Sequence, residues 1–112
     1  MVQKVVEIME YEDVLCEANR ETDPLIRLMK VAMFAISQYP CTHDRLSKPF
    51  NPLLGETYEL KCKKFKYIGE QVSHHPPISA CNAFSDDYEY FMDTNTKMGF
   101  NGTYMKAIPI GF

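Results

Sequence analysis

The sequence has no tryptophan, only five glycines and no excess of basic charge. Twelve Lys and Arg stand against fifteen Asp and Glu, for a formal charge of −3. The electrostatic footprint of a general nucleic-acid binder is therefore missing, and no nucleic-acid partner is expected. Bulk attraction to an anionic membrane is missing too, which leaves only a local patch for such contact. No GxGxxG, P-loop, GxSxG or HExxH pattern occurs, so the phosphate-cradling, nucleophile-elbow and zinc-protease signatures are absent. No apolar run nears the length of a membrane-spanning helix, and charges interrupt the opening MVQKVVEIMEYED, unlike a secretory signal. Cys16, Cys41, Cys62 and Cys81 form no CxxC pair. A zinc site is not expected, nor is any cofactor, and the default is a cytoplasmic chain with reduced thiols. Asn101-Gly102-Thr103 fits a glycosylation sequon, but in such a chain it reads more simply as a turn.

What is present suits one compact domain of 112 residues, with 46% hydrophobic and 24% charged positions. Val2, Val5, Val6, Met9, Val14, Leu15 and Ala18 recur at three- and four-residue steps, which predicts a helix from Val2 to Ala18. Asp23-Pro24 is a helix start, because Asp caps free N–H groups and Pro is tolerated at the first helical position. The run Leu25 to Ile36 is apolar around most of its circumference, which predicts burial on more than one side. Tyr39-Pro40 ends it. Beyond Pro40 the texture is β-type: Gly55 to Cys62, Phe65 to Ser73, Ile78 to Phe84, Tyr88 to Asp93 and Gly102 to Ile110. Lys63-Lys64 and Asp86-Asp87 are polar breaks suited to hairpin loops. Helices over about residues 2–38, then strands over about 55–110 as an antiparallel meander, define an α+β class. The strand-like end of the sequence predicts an unfinished sheet edge and possible self-association of this piece.

Two stretches stand out chemically. In Glu70-Gln71-Val72-Ser73-His74-His75-Pro76-Pro77, adjacent histidines project oppositely if the chain stays extended. If the strand breaks into a turn before the prolines, both rings can converge on one anionic oxygen cluster, such as a phosphate. The plainer alternative is a hairpin corner with two exposed histidines. In Lys48-Pro49-Phe50-Asn51-Pro52-Leu53-Leu54-Gly55-Glu56, two prolines three apart stiffen the approach to a strand. They would hold Lys48 and Asn51 in fixed orientation, suited to a phosphate; the alternative is a structural loop with a solvated lysine. Lys61, Lys63, Lys64 and Lys66 cluster at one hairpin tip and read as a solvated loop, with contact to an anionic surface as the alternative. A Cys81–His75 nucleophilic pair has no support in the spacing, and no catalytic residue is expected.

EQVSHHPP, Glu70 to Pro77, resembles the fingerprint of the oxysterol-binding protein family. KPFNPLLGETYEL, Lys48 to Leu60, resembles that family's other hallmark, in the matching order and spacing. The flanking MKVAMFAISQYP and ISACNAF resemble the helix before the barrel and the strand after the fingerprint. The resemblance covers nearly the whole chain. It implies that residues 1–112 are the N-terminal part of a large incomplete antiparallel β-barrel with a lipid tunnel, its lid and C-terminal part absent. It implies sterol or phosphatidylserine as lipid ligand, often exchanged for phosphatidylinositol 4-phosphate, with peripheral contact at organelle membranes. It places the phosphoinositide headgroup on Lys48, Asn51, His74 and His75. The alternative is a phosphoinositide-sensing or membrane-tethering module that carries no lipid.

Overall fold

The computed structural model describes residues 2–39 and 49–110. Helix α1 (Val2–Val5) runs into a 3-10 turn (Val6–Met9), followed by α2 (Asp13–Arg20) and α3 (Pro24–Ser37). Six strands follow: β1 (Thr57–Lys61), β2 (Lys66–Ser73), β3 (Ile78–Phe84), β4 (Glu89–Asp93), β5 (Thr96–Phe100) and β6 (Met105–Pro109). The first four form one antiparallel sheet in the order β1-β2-β3-β4, and β5 pairs with β6 in a separate hairpin. The expected α+β order of helices before a meander is observed.

Three expectations need correction. The single helix expected over Val2 to Ala18 is broken between Met9 and Asp13. Its apolar residues skip from Met9 to Val14, a five-residue step that throws the stripe out of phase. The break turns Glu12 inward, where it is 3% exposed, and Lys64 meets it at 3.0 Å. Helix α3 is not buried on several sides: Phe34 is its one buried residue, while Leu25, Leu28 and Ile36 are each about two-thirds exposed. It packs on α2 and reaches the sheet at its C-terminal end, where the Phe34 and Tyr90 rings meet edge to face at 5.4 Å. Finally, the meander stops at β4. Thr96–Phe100, which lies between the expected strand segments, is a strand that pairs with β6 instead.

Local chemistry explains the elements that were expected. Asp23 accepts from the Leu25 and Ile26 N–H groups at 2.8 and 3.4 Å, with Pro24 in the first turn. The polar breaks close as hairpins, through Cys62 N–H to Phe65 O at 3.1 Å and Ser85 N–H to Tyr88 O at 2.9 Å. Asn101-Gly102-Thr103 is the β5–β6 turn, with Gly102 at φ +88°.

Strand alternation places Tyr67, Gly69 and Gln71 of β2, and Ser79, Cys81 and Ala83 of β3, on one buried face. Ile8, Met9 and Phe34 cover the Tyr67, Cys81 and Ala83 part of it. The sheet is thus apolar under the helices and polar toward one end, at Gln71 and Ser79.

Gly69 lies where α1 meets β2, and a Cβ there would come within 2.9 Å of the Tyr67 hydroxyl and 3.0 Å of Val2 Cγ1. Tyr67 and Val2 are 2% and 1% exposed, so neither can swing away into solvent. Gly69→Ala in the native protein is expected to destabilise this seam by about 1–3 kcal/mol. Hydrogen exchange by mass spectrometry should show faster exchange in β2 and α1. Unchanged exchange in both segments would show that the close approach at Gly69 does not matter.

Candidate functional site

The two chemically unusual stretches meet in space. After Pro49, the chain turns at Leu53-Leu54-Gly55, where Glu56 N–H donates to Leu53 O and Leu53 N–H donates to the Glu56 carboxylate, each at 3.0 Å. Gly55 takes φ +78°, a conformation open to glycine. Its N–H donates to Gln71 O at 2.9 Å, and Gln71 N–H donates to Glu56 O at 3.0 Å. This pair extends the β1–β2 ladder beyond β1 and fastens the proline-rich approach to the end of β2.

At that end the strand breaks as the paired histidines required. β2 stops at Ser73, and residues 74–77 form the turn into β3, with a cis His75–Pro76 peptide. The two imidazoles stand edge to face with centroids 4.5 Å apart and planes at 67°. His74 is half-buried and its Nδ1 lies 3.2 Å from Pro52 O. A carbonyl only accepts, so Nδ1 is the donor and Nε2 remains for another partner. His75 is exposed. Two imidazolium charges at this separation would repel by about 1–4 kcal/mol between water and protein-like dielectric. A shared anion would offset that repulsion.

Of the expected site residues, His74 and His75 are side by side. Asn51 is exposed and immediately precedes the buried Pro52 whose carbonyl holds His74. Lys48 lies outside the described residues. Sequence reasoning missed the Pro52 carbonyl and the buried amide of Gln71, 1% exposed. The signal for Gln71 was its strand phase: it shares the inward parity of Tyr67 and Gly69.

The lysine tip is only partly free. Lys64 reaches Asp13 at 2.8 Å and Glu12 at 3.0 Å, chiefly the Asp13 contact holding its ammonium above the usual range. Lys66 lies over the Phe84 ring at 5.7 Å. Among the described residues no group of three or more His, Cys, Asp or Glu side chains could hold a metal ion. Cys81 is buried in mid-β3 opposite Gly69, with its thiol pushed up by burial, whereas His75 is exposed at the corner. Those two do not form a nucleophilic pair.

A family model described as oxysterol-binding protein matches residues 1–112. Oxysterol-binding protein-related protein 3 of Mus musculus is 48% identical over 113 residues, covering 98% of this chain and 13% of the relative. Human oxysterol-binding protein-related protein 7 is 44% identical over 115 residues, with the same coverage of 98% and 13%. In structure, the chain is similar to the Osh1 ORD domain in complex with ergosterol, at a TM-score of 0.83 and 44% identity, over 91% of this chain and 25% of that one. It is also similar to the Osh3 ORD in complex with PI(4)P from Saccharomyces cerevisiae, at a TM-score of 0.81 and 35% identity, over 95% and 29%. The fold and the paired motifs place the chain in the same class of domain as these ORD structures. The chain belongs to the oxysterol-binding protein family. It spans about an eighth of the length of these two curated relatives, and its unclosed four-stranded sheet is part of that family's barrel domain.

Cysteine reactivity gives a direct check on the packing around α2. Burial, with the Glu12 carboxylate beside it, pushes the Cys16 thiol up to about 11, while Cys62 is exposed. The thiolate is the nucleophile, so iodoacetamide at pH 8 should label Cys62 well before Cys16 or Cys81 in the native protein. Peptide mapping that finds Cys16 labelled as fast as Cys62 would contradict this placement of Glu12.

Proposed function

We propose that this chain supplies the headgroup-binding corner of a domain that binds sterol or phosphatidylserine and, in exchange, phosphatidylinositol 4-phosphate, and moves lipid between membranes. The observation that carries the reading is the 3.2 Å contact of His74 Nδ1 with Pro52 O, which locks the fingerprint turn to the proline-rich stretch. The Osh1 and Osh3 domains support it, being bound to ergosterol and to PI(4)P at 44% and 35% identity. In this reading His74 and His75 face the phosphomonoester, and the Asn51 amide and Lys48 ammonium add donors from the neighbouring stretch. The function is binding and release, with no bond made or broken. Membrane contact is peripheral, at organelle surfaces facing the cytoplasm; among the described residues no helix is long and apolar enough to cross a membrane.

Replacing both histidines with Ala in the native protein tests the site. Each charge-assisted hydrogen bond contributes roughly 1.5–3 kcal/mol, so the double change should weaken phosphatidylinositol 4-phosphate binding at least about tenfold. Extraction of a fluorescent sterol from liposomes should persist in the same variant. Unchanged phosphoinositide affinity in a folded double variant would overturn the headgroup assignment. A native protein that binds the headgroup but extracts neither the sterol nor phosphatidylserine from liposomes would be a sensor or tether, and lipid transfer would be excluded.

A further inference from the structure

The buried amide of Gln71 lies outside the apolar cluster and outside the expected site residues, yet it contacts the strand end that leads into the histidine corner. Gln71 is 1% exposed and Ser79, opposite it on β3, is 2% exposed. Gln71 Nε2 donates to Ser73 O at 2.8 Å, and Ser79 Oγ donates to Gln71 Oε1. The Ser73 carbonyl only accepts, which fixes which end of the amide faces it. Ser79 is itself held: its N–H donates to Thr94 Oγ1 at 2.9 Å, and Thr94 Oγ1 donates to Ser79 O at 3.2 Å. A buried polar chain therefore runs from the end of β4 through β3 to Gln71.

The amide acts at a defined irregularity. Gln71 pairs with Ser79, but the next pair is Ser73 with Ile78, so Val72 is an extra residue bulged out of the ladder. Such a bulge re-aims the side chains that follow it. Gln71 clips across the bulge, from its own side chain to the carbonyl two residues on. That carbonyl shares one rigid peptide plane with the His74 N–H, so fixing Ser73 O fixes the backbone from which the His74 ring projects. The backbone of Gln71 meanwhile holds Gly55 and Glu56 at 2.9 and 3.0 Å, and their turn leads to Pro52, which orients the same ring from the other side. We infer that Gln71 is a positioning residue for the anion site: its buried amide sets the direction of His74 and its neighbour His75 without touching the ligand. This inference rests on the headgroup reading above and extends it from the residues that meet the phosphate to the one that aims them.

The test uses the native protein and a water-soluble, short-chain phosphatidylinositol 4-phosphate as probe. Gln71→Met keeps the length of the side chain and removes both amide contacts. It should lower affinity for the probe roughly tenfold, the order seen when an orienting partner behind a binding group is removed. It should also move the His74 and His75 ring-proton resonances in the free protein. Ser79→Ala keeps the amide but removes the hydroxyl that fixes it, and should give a smaller loss in the same direction; it carries the test if Gln71→Met does not fold. The decisive arm adds either change to His74→Ala/His75→Ala. A positioning role predicts no further loss there, because nothing remains to be aimed; a general structural defect predicts the same loss in both backgrounds. If the histidine double variant loses affinity while Gln71→Met and Ser79→Ala bind as wild type, the positioning role is overturned and the headgroup reading stands. If the histidine double variant binds as wild type, both fall.

Discussion

The reciprocal backbone bonds between Gln71 and residues 55–56 are the constraint on which the functional end of this structure depends. Without them the β1–β2 ladder would end at Thr57 and the proline-rich approach would leave the sheet. Pro52 would then have no fixed place, and His74 would lose the carbonyl that orients its ring. The bonds are possible because Gly55 adopts a positive φ that places its N–H against the end of β2. One glycine and one strand end thus convert two stretches about twenty residues apart in sequence into a single corner.

The same sheet face does two jobs along its length. Under the helices its inward residues are Tyr67, Cys81 and Ala83, packed against Ile8, Met9 and Phe34. Toward the other end the inward positions become Gln71, four residues after Tyr67 on β2, and Ser79, two residues before Cys81 on β3, and burial is matched by hydrogen bonds instead of apolar contact. A buried amide left without partners would cost about 1–3 kcal/mol, so the polar end tolerates one arrangement of its groups and few others. The other end is fastened by charge: the inward Glu12 meets Lys64 from the β1–β2 tip and Tyr88 from the β3–β4 tip. The helical layer is therefore clamped to the hairpin tips at one end of the sheet, far from the histidine corner at the other.

Much of this was legible in the sequence, and the failures have physical causes. Strand ends were readable within two residues for β1 to β4, because Pro, Gly and paired charges punctuate them. The break in the first helix was hidden because the apolar steps on either side of Glu10-Tyr11-Glu12 are individually helical; only the phase across the gap is wrong. Helix α3 was misjudged because apolarity reports that a helix needs a partner, not which surface supplies it. β5 was missed because Thr96 to Phe100 has Lys97 and Gly99 in it and owes its strand state to β6, a non-local pairing. His74, His75 and Asn51 stand out as candidates through residue type and motif. Gln71 and the Pro52 carbonyl do not, since a supporting amide and a backbone oxygen carry no chemical signature until register and burial are known.

That division between recognisable candidate ligating groups and silent supporting ones has an energetic meaning. Ordering a rotamer-rich side chain on binding costs about 0.5–1.5 kcal/mol. His74 is already held by Pro52, and the turn that carries it is held by the Gln71 clip, so little of that cost falls on the half-buried ring. The exposed His75 and Asn51 retain more freedom and are where ordering on binding would concentrate. In the proposed reading, a corner with one held ring and exposed neighbours would recognise a phosphate by direction through His74 and release it without unfolding any part of the sheet. Reversible capture of that kind would suit the proposed carriage of lipid between membranes, and it would follow from where the hydrogen bonds are placed, not from how many there are.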